Sequence, residues 1–101
     1  MPDAAHDRDL DERAADGLAR GEFVVIDAWL GPVRAHALRL EVQALIDARH
    51  FHAAGVGKAG ARVLAPAVRR DSVCWFDADG AAGVRPGLHV ARFLARLDLL
   101  V

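Results

Sequence analysis

The apolar residues of the chain recur at helical spacing in three stretches. Near the start, Leu10, Ala14 and Leu18 recur every four residues, as on one face of a helix. A second stripe runs from residue 33 to residue 49, opposite polar residues that are free to face water. A third stripe begins at residue 87 and continues towards the end of the chain. We therefore predict three amphipathic helices.

Continuous apolar runs of strand length lie between these helices. The run EFVVIDAWL, residues 22–30, is rich in β-branched and aromatic side chains and predicts a strand over 22–28 that is covered on both faces. The run SVCWF, residues 72–76, predicts a second buried strand, and residues 51–54 predict a short one. Residues 55–66 are dominated by Gly and Ala and predict a loop. The expected fold class is α+β.

Length and composition limit the chain to one small domain or to part of one. At 101 residues it buries too little surface for a second core. Residues 1–7 are polar and are predicted to be disordered, and residues 8–101 are predicted to form a single partial domain. The net charge of −1 gives no argument for nucleic acid or a membrane surface as partner. The single cysteine cannot form an internal disulfide, and no window suits a membrane span, so we predict a cytoplasmic protein.

A glycine pattern typical of dinucleotide binding occurs once. Gly55, Gly57 and Gly60 spell G-x-G-x-x-G, and Asp79 lies downstream where an acidic ribose ligand would be expected. The pattern works where a strand enters the turn and a helix leaves it. Here a long predicted helix comes before it and Pro66 soon follows, which favours a flexible loop.

Two histidines have a spacing that a metal ion could use. His50 and His52 are two residues apart, so on a strand both imidazoles would face the same side. No Cys, Asp or Glu joins them in a recognisable motif. This favours two structural histidines over a metal site.

Nucleophile and anion sites have little support in the sequence. The sequence has one serine, Ser72, and no threonine or tyrosine, and Cys74 has no His nearby in the sequence. Both observations argue against hydrolase chemistry, which needs an activated nucleophile. Arg69 and Arg70 could clamp an anion, but a solvated rim that pairs with Asp71 is the simpler interpretation.

Three motifs in order resemble the prolyl-hydroxylase-type 2-oxoglutarate/iron(II) oxygenases. They are GEFVVIDAWLG at 21–31, the helix and its end at 34–57, and VRRDSVCWFD at 68–77. In that family a V-V-[ID]-D-x-[FL]-L strand leads into a long helix, and an I-R-[GN]-D-x-[IV]-x-W-[IL] stretch follows. Arg70 stands here where Gly is usual, and Trp75 matches the strand tryptophan.

The resemblance implies a fold and a chemistry. The fold would be the N-terminal helices and first strands of an incomplete double-stranded β-helix, a jelly-roll oxygenase fold. Intact members bind Fe(II) through an H-x-D pair and a distant His and use 2-oxoglutarate, with ascorbate as reductant. No H-x-D occurs in this chain, so we expect no catalytic, metal or cofactor residue and no cofactor for this chain alone. By the resemblance, five residues match the family's scaffold motifs, namely Asp27, Trp29, Arg69, Asp71 and Trp75, and the last three are expected at the edge of the pocket.

Three functional hypotheses follow. The first is a truncated 2-oxoglutarate/Fe(II) dioxygenase related to prolyl 4-hydroxylases, whose parent would hydroxylate a protein side chain and which would be inactive alone. The second is a non-catalytic α+β protein-interaction module, and the third is an unrelated small α+β domain. Whether the chain is an enzyme is left open. Uncovered strands and the apolar residues 99–101 predict self-association or pairing with a missing C-terminal half.

Overall fold

The computed structural model describes residues 4–56, 63–64 and 70–100. Three helices lie in the described residues: α1 is Ala4–Ala19, α2 is Pro32–Asp47 and α3 is Leu88–Asp98. The three helices predicted from apolar spacing are confirmed. The first one starts earlier than expected, because residues 4–7 are helical and not disordered. The reason is tertiary, since the carboxylate of Asp7 is bonded to Arg34 in α2.

The chain divides into two compact units. One is formed by residues up to Glu41 together with those from Gly87 onward, and we call it the helical unit. The other is Val42–Pro86.

The helical unit has a small core. Leu10 and Ala14 of α1 are buried, as the helical spacing predicted, and Val90 of α3 is 3% exposed. Gly17 is also buried, and a Cβ atom there would lie 2.5 Å from Cγ2 of Val24. Only glycine therefore allows the segment after α1 to approach the helix this closely.

The first turn of α3 is capped from another helix. Its N-cap residue, Gly87, supplies no side-chain hydrogen bond. Instead, Oε1 of Glu41 in α2 accepts a hydrogen bond from the backbone N–H of His89 at 2.9 Å, and Oε2 accepts one from Val90 at 2.7 Å. The carboxylate thus satisfies two otherwise unpaired N–H groups and places a negative charge at the positive end of the helix.

The strand predicted over 22–28 is wrong. Residues 22–26 belong to no helix or strand of the described structure, and a turn follows in which Ala28 has a φ of +55°. Val24 and Ile26 are half-buried, whereas their neighbours Phe23 and Val25 are exposed, so the segment is covered on one face only. A strand needs hydrogen bonds from a neighbour, and a local preference for extended backbone cannot supply them.

The second unit contains short antiparallel pairs. Strand β1 (His52–Ala53) pairs with β4 (Ser72–Val73), with His52 opposite Val73 and Ala53 opposite Ser72. Strand β2 (Gly55–Val56) pairs with β3 (Val63–Leu64), with Gly55 opposite Leu64 and Val56 opposite Val63.

The short strand predicted over 51–54 is therefore confirmed at its centre. The run 72–76 forms a strand of two residues only, and it is not buried as predicted, since Ser72 is exposed and Trp75 is 58% exposed. Of the loop predicted over 55–66, the described residues are the paired strands β2 and β3, and the others lie outside the described residues. The α+β class is confirmed.

None of the described helices has the length and apolar character needed to cross a membrane.

Candidate functional site

A cluster of charged residues and one tryptophan joins the three helices of the helical unit. We call it the Asp–Arg–Trp cluster, and it consists of Asp7, Asp11, Trp29, Arg34 and Arg96. The two acids are four residues apart on α1, so they project from the same face of the helix. Arg34 comes from α2 and Arg96 from α3. The cluster therefore ties together parts of the chain that are distant in sequence.

Arg34 makes a two-point contact with Asp7. Its Nη1 lies 2.7 Å from Oδ2 and its Nη2 lies 2.9 Å from Oδ1, which is the paired geometry that makes arginine–carboxylate contacts strong and directional. Its Nε also donates to the backbone carbonyl of Leu30. Arg34 thus fixes the start of α2 against α1 and against the turn that precedes it.

Arg96 is the more buried of the two arginines. Its Nε lies 3.0 Å from each carboxylate oxygen of Asp11, and its Nη1 donates to the backbone carbonyl of Trp29 at 2.7 Å. Its Nη2 is buried and lies 2.8 Å from Oδ1 of Asp11. The geometry of this contact does not meet that of a hydrogen bond, so the contact is an ion pair without one. The guanidinium carbon is 3.9 Å from the centre of the Trp29 ring, a cation–π contact. Trp29 completes the arrangement by donating its indole N–H to Oδ1 of Asp11 at 2.6 Å.

The cluster holds its carboxylates ionised. The hydrogen bond from Arg34 is the main cause of the lowered pKa of Asp7. Burial by itself would raise the pKa of Asp11, but hydrogen bonds from Arg96 and Trp29 outweigh it and the pKa is lowered. Asp7 in turn raises the pKa of Arg34. Since neither carboxylate can take up a proton near neutral pH, the cluster suits a structural role better than acid–base catalysis.

Because the Asp–Arg–Trp cluster suits a structural role, a candidate function is sought on surfaces of the chain outside it. Comparison with protein-family models, with curated proteins and with solved structures gives no match. Two features of the described helical unit are open to solvent, namely the segment 22–26 and a groove.

The segment 22–26 makes little use of its backbone in hydrogen bonding. Glu22 donates its backbone N–H to the carbonyl of Gly17 at 3.1 Å, but residues 23–26 make no backbone hydrogen bond to the rest of the described chain. Phe23 is 92% exposed and Val25 is 78% exposed, whereas Val24 and Ile26 are half-buried. A segment with such alternating exposure and without backbone partners in the described chain offers a surface on which another strand can pair.

The groove lies beside α2 and α3 and has a volume of about 390 Å³. Its apolar wall consists of Leu30, Val33, Ala37, Leu38 and Phe93. Four basic or imidazole side chains also line it, namely Arg34, His89, Arg92 and Arg96. No acidic residue of the described part of the chain lines this groove.

Two of the three residues predicted at a pocket edge, Asp71 and Trp75, are described, and they lie in the second unit. Asp71 is exposed, and its backbone carbonyl accepts a hydrogen bond from Ala54 at 3.0 Å. Trp75 is also exposed, and its carbonyl accepts one from Val84 at 2.8 Å. Arg69 lies outside the described residues. Their predicted role stays a prediction.

The remaining candidates stay apart from the Asp–Arg–Trp cluster. His50 and His52 are both exposed, and the part of the chain that the structure describes contains no group of three or more metal-ligating side chains. Asp27 is exposed in the turn before α2. In the glycine pattern, Gly57 and Gly60 lie outside the described residues.

Proposed function

We propose that this chain is a protein-interaction module that binds an extended segment of another polypeptide along residues 22–26. The observation that carries the proposal is a backbone at 23–26 without hydrogen bonds to other described residues, combined with side chains that alternate between exposed (Phe23 and Val25) and half-buried. Strand addition to such an edge is a recurring mode of peptide recognition, in which main-chain hydrogen bonds supply affinity and alternate side chains supply specificity.

The helical unit prepares this segment for pairing. Val24 packs against Gly17 of α1, and Val24, Ile26 and Trp29 line a common apolar surface with residues of α1 and α3. These contacts hold alternate side chains inward, so that Phe23 and Val25 must face outward. Covering a side chain such as Phe23 contributes about 1.5–3 kcal/mol, which a bound strand could supply. Little ordering entropy would be lost on the side of this chain, because Val24 and Ile26 are already held against the helices.

The test uses a synthetic peptide with the sequence of residues 21–27 as a strand probe, and measures amide hydrogen exchange of the chain. We expect the amides of residues 23–26 to exchange quickly in the free chain and more slowly when the peptide is present in excess. Replacement of Phe23 and Val25 together by Ser should abolish the protection. Leu40→Ser, which removes an apolar side chain that is 57% exposed on α2, is the matched control and should leave it unchanged. Equal exchange with and without peptide would refute the proposal.

The order of the elements supports a second proposal. A helix, an apolar segment outside any helix or strand that ends in a turn, and a long second helix follow one another here. We propose on this basis, and on the motif series given above, that the chain is the N-terminal portion of a prolyl-hydroxylase-type 2-oxoglutarate/iron(II) oxygenase. Residues 22–26 would then pair with a strand of the jelly-roll fold that other residues complete, and the parent enzyme would hydroxylate a protein side chain.

This chain's own residues do not fit the iron site of such an enzyme. The sequence contains no H-x-D pair, and the described residues hold no cluster of His, Cys, Asp or Glu that could bind a metal ion. An anaerobic titration of the chain with Fe(II) and 2-oxoglutarate tests this assignment. We expect no charge-transfer band in the visible spectrum. A saturable band would mean that the chain carries its own ligands, and the assignment as a portion without them would fail.

A further inference from the structure

We infer that the groove beside α2 and α3 binds a small amphipathic carboxylate, with its apolar body on the wall of the groove and its carboxylate on Arg92. The groove volume of about 390 Å³ lies within the range of about 300–1,000 Å³ typical of small-molecule pockets. All the lining residues belong to the helical unit. This inference is independent of the strand-addition function, which concerns residues 22–26.

The charged side chains that line the groove in the described structure are arginines, but they are not equally available to a ligand. Arg34 and Arg96 are engaged by Asp7 and Asp11 through several contacts each. Arg92, which is exposed, has neither a hydrogen bond nor an ion pair with another described residue. The imidazole of His89 likewise has no hydrogen bond within the described part of the chain. The groove therefore offers one free guanidinium and one free imidazole to a ligand.

Helix geometry brings these two groups together with the apolar wall. His89 and Arg92 are three residues apart on α3, and Phe93 is four residues after His89, so the three project from neighbouring positions of one face. A guanidinium can bind both oxygens of a carboxylate at once. Among the described residues, no acidic side chain lines the groove. The carboxylates that lie near it are already engaged, Asp7 and Asp11 by arginines and Glu41 by the first turn of α3.

The apolar wall decides which anion fits. Five of the nine lining residues are apolar, so a strongly hydrated ion such as inorganic phosphate would lose its hydration without gaining apolar contact. An anion with an alkyl or aryl body gains from the wall and from Arg92 together. We therefore commit to a free monocarboxylate with an apolar chain, for which octanoate and decanoate are suitable probes.

Calorimetric titration of the purified chain with decanoate, kept below its micelle concentration, tests the inference. We expect saturable binding with one ligand per chain, weaker binding of octanoate, and at least about tenfold weaker binding of decanol, which lacks the charge-assisted contact. Inorganic phosphate should not compete. Arg92→Gln should weaken decanoate binding by about tenfold or more. Arg13→Gln, which removes an exposed arginine of α1 that does not line the groove, should leave the affinity unchanged.

A second variant separates loss of the site from loss of the fold. Ala37→Leu adds a side chain to the wall of the groove at a half-buried position of α2, and it should reduce binding without altering the helical circular dichroism spectrum. The inference is overturned if decanoate does not bind, if decanol binds equally well, or if Arg92→Gln binds like the unchanged chain.

Discussion

Arg96 should be the single residue on which the helical unit depends most. Arg96→Met keeps a long side chain and removes the charge together with every hydrogen bond of the guanidinium. Asp11 would then retain only the indole N–H of Trp29 as a partner from within the cluster. The carbonyl of Trp29 would keep only a contact at 3.4 Å from Arg34. The change therefore removes the attraction between Arg96 and Asp11 and also leaves the carboxylate of Asp11 with too few hydrogen-bond donors.

The expected loss lies between the values for exposed and buried ion pairs. Exposed pairs contribute about 0.2–1 kcal/mol, whereas removing one partner of a buried pair costs about 3–5 kcal/mol. The side chain of Arg96 is 12% exposed and that of Asp11 is 21% exposed, which places the pair closer to the buried case. The cation–π contact with Trp29 adds about 0.5–2 kcal/mol. We expect a total loss of about 2–4 kcal/mol, from a stability of about 5–15 kcal/mol for a chain of this size.

Thermal and urea unfolding, followed by circular dichroism, measure this loss. At about 4–8 °C per kcal/mol for a domain of 60–100 residues, the melting temperature should fall by about 10–25 °C. Arg20→Met is the matched control, because Arg20 is paired with Glu22 at 2.9 Å but the two side chains are 62% and 58% exposed. That variant should lose less than about 1 kcal/mol. The reasoning is refuted if the two variants are destabilised equally.

Three further predictions concern the rest of the helical unit. Glu41→Ala should cost about 1–2 kcal/mol in urea unfolding, because two N–H groups in the first turn of α3 lose their acceptor, and Glu41→Gln should cost less. The pKa of Asp7 is lowered on folding, so its ion pair stabilises the folded state at pH values above the unfolded pKa near 3.8, and this stability is lost as pH falls through the lower folded pKa. Asp7→Asn should therefore flatten the acid side of the plot of unfolding free energy against pH. A plot as steep as that of the unchanged chain would contradict the ion pair. Gly17→Ala should destabilise despite its better helix propensity, because the added methyl group meets Val24, and Val24→Ala should restore much of the loss in a double-mutant cycle.

Residues 22–26 show how a local preference can fail to give the predicted element. Their β-branched and aromatic residues favour a strand, and their side chains do alternate between exposed and half-buried, but the segment belongs to no strand of the described structure. Whether an extended run becomes a strand depends on a second run beside it, and no described residue of this chain lies there as a partner. The same reason explains why the run 72–76 forms a strand of only two residues opposite His52–Ala53.

The Asp–Arg–Trp cluster could not be predicted from spacing alone. Arg96 is 85 residues from Asp11, and Arg34 is 27 residues from Asp7. The one local signal was the four-residue interval between the two acids on α1, which places them on a common face but does not identify their partners. The groove and its free Arg92 were missed for the same reason, since they arise from packing and from which arginines are already engaged.

The helices are the part of this protein that the amino-acid sequence alone determined. Their hydrogen bonds join residues four apart, so the apolar spacing of a short stretch carries the information needed, and the α+β class and the burial of Leu10 and Ala14 could be predicted from it. Tertiary structure alone decided which arginine meets which acid, why the first helix extends back to Ala4, and which apolar segment is left with an open edge. Each of these depends on contacts between residues far apart in the chain, which no local pattern contains.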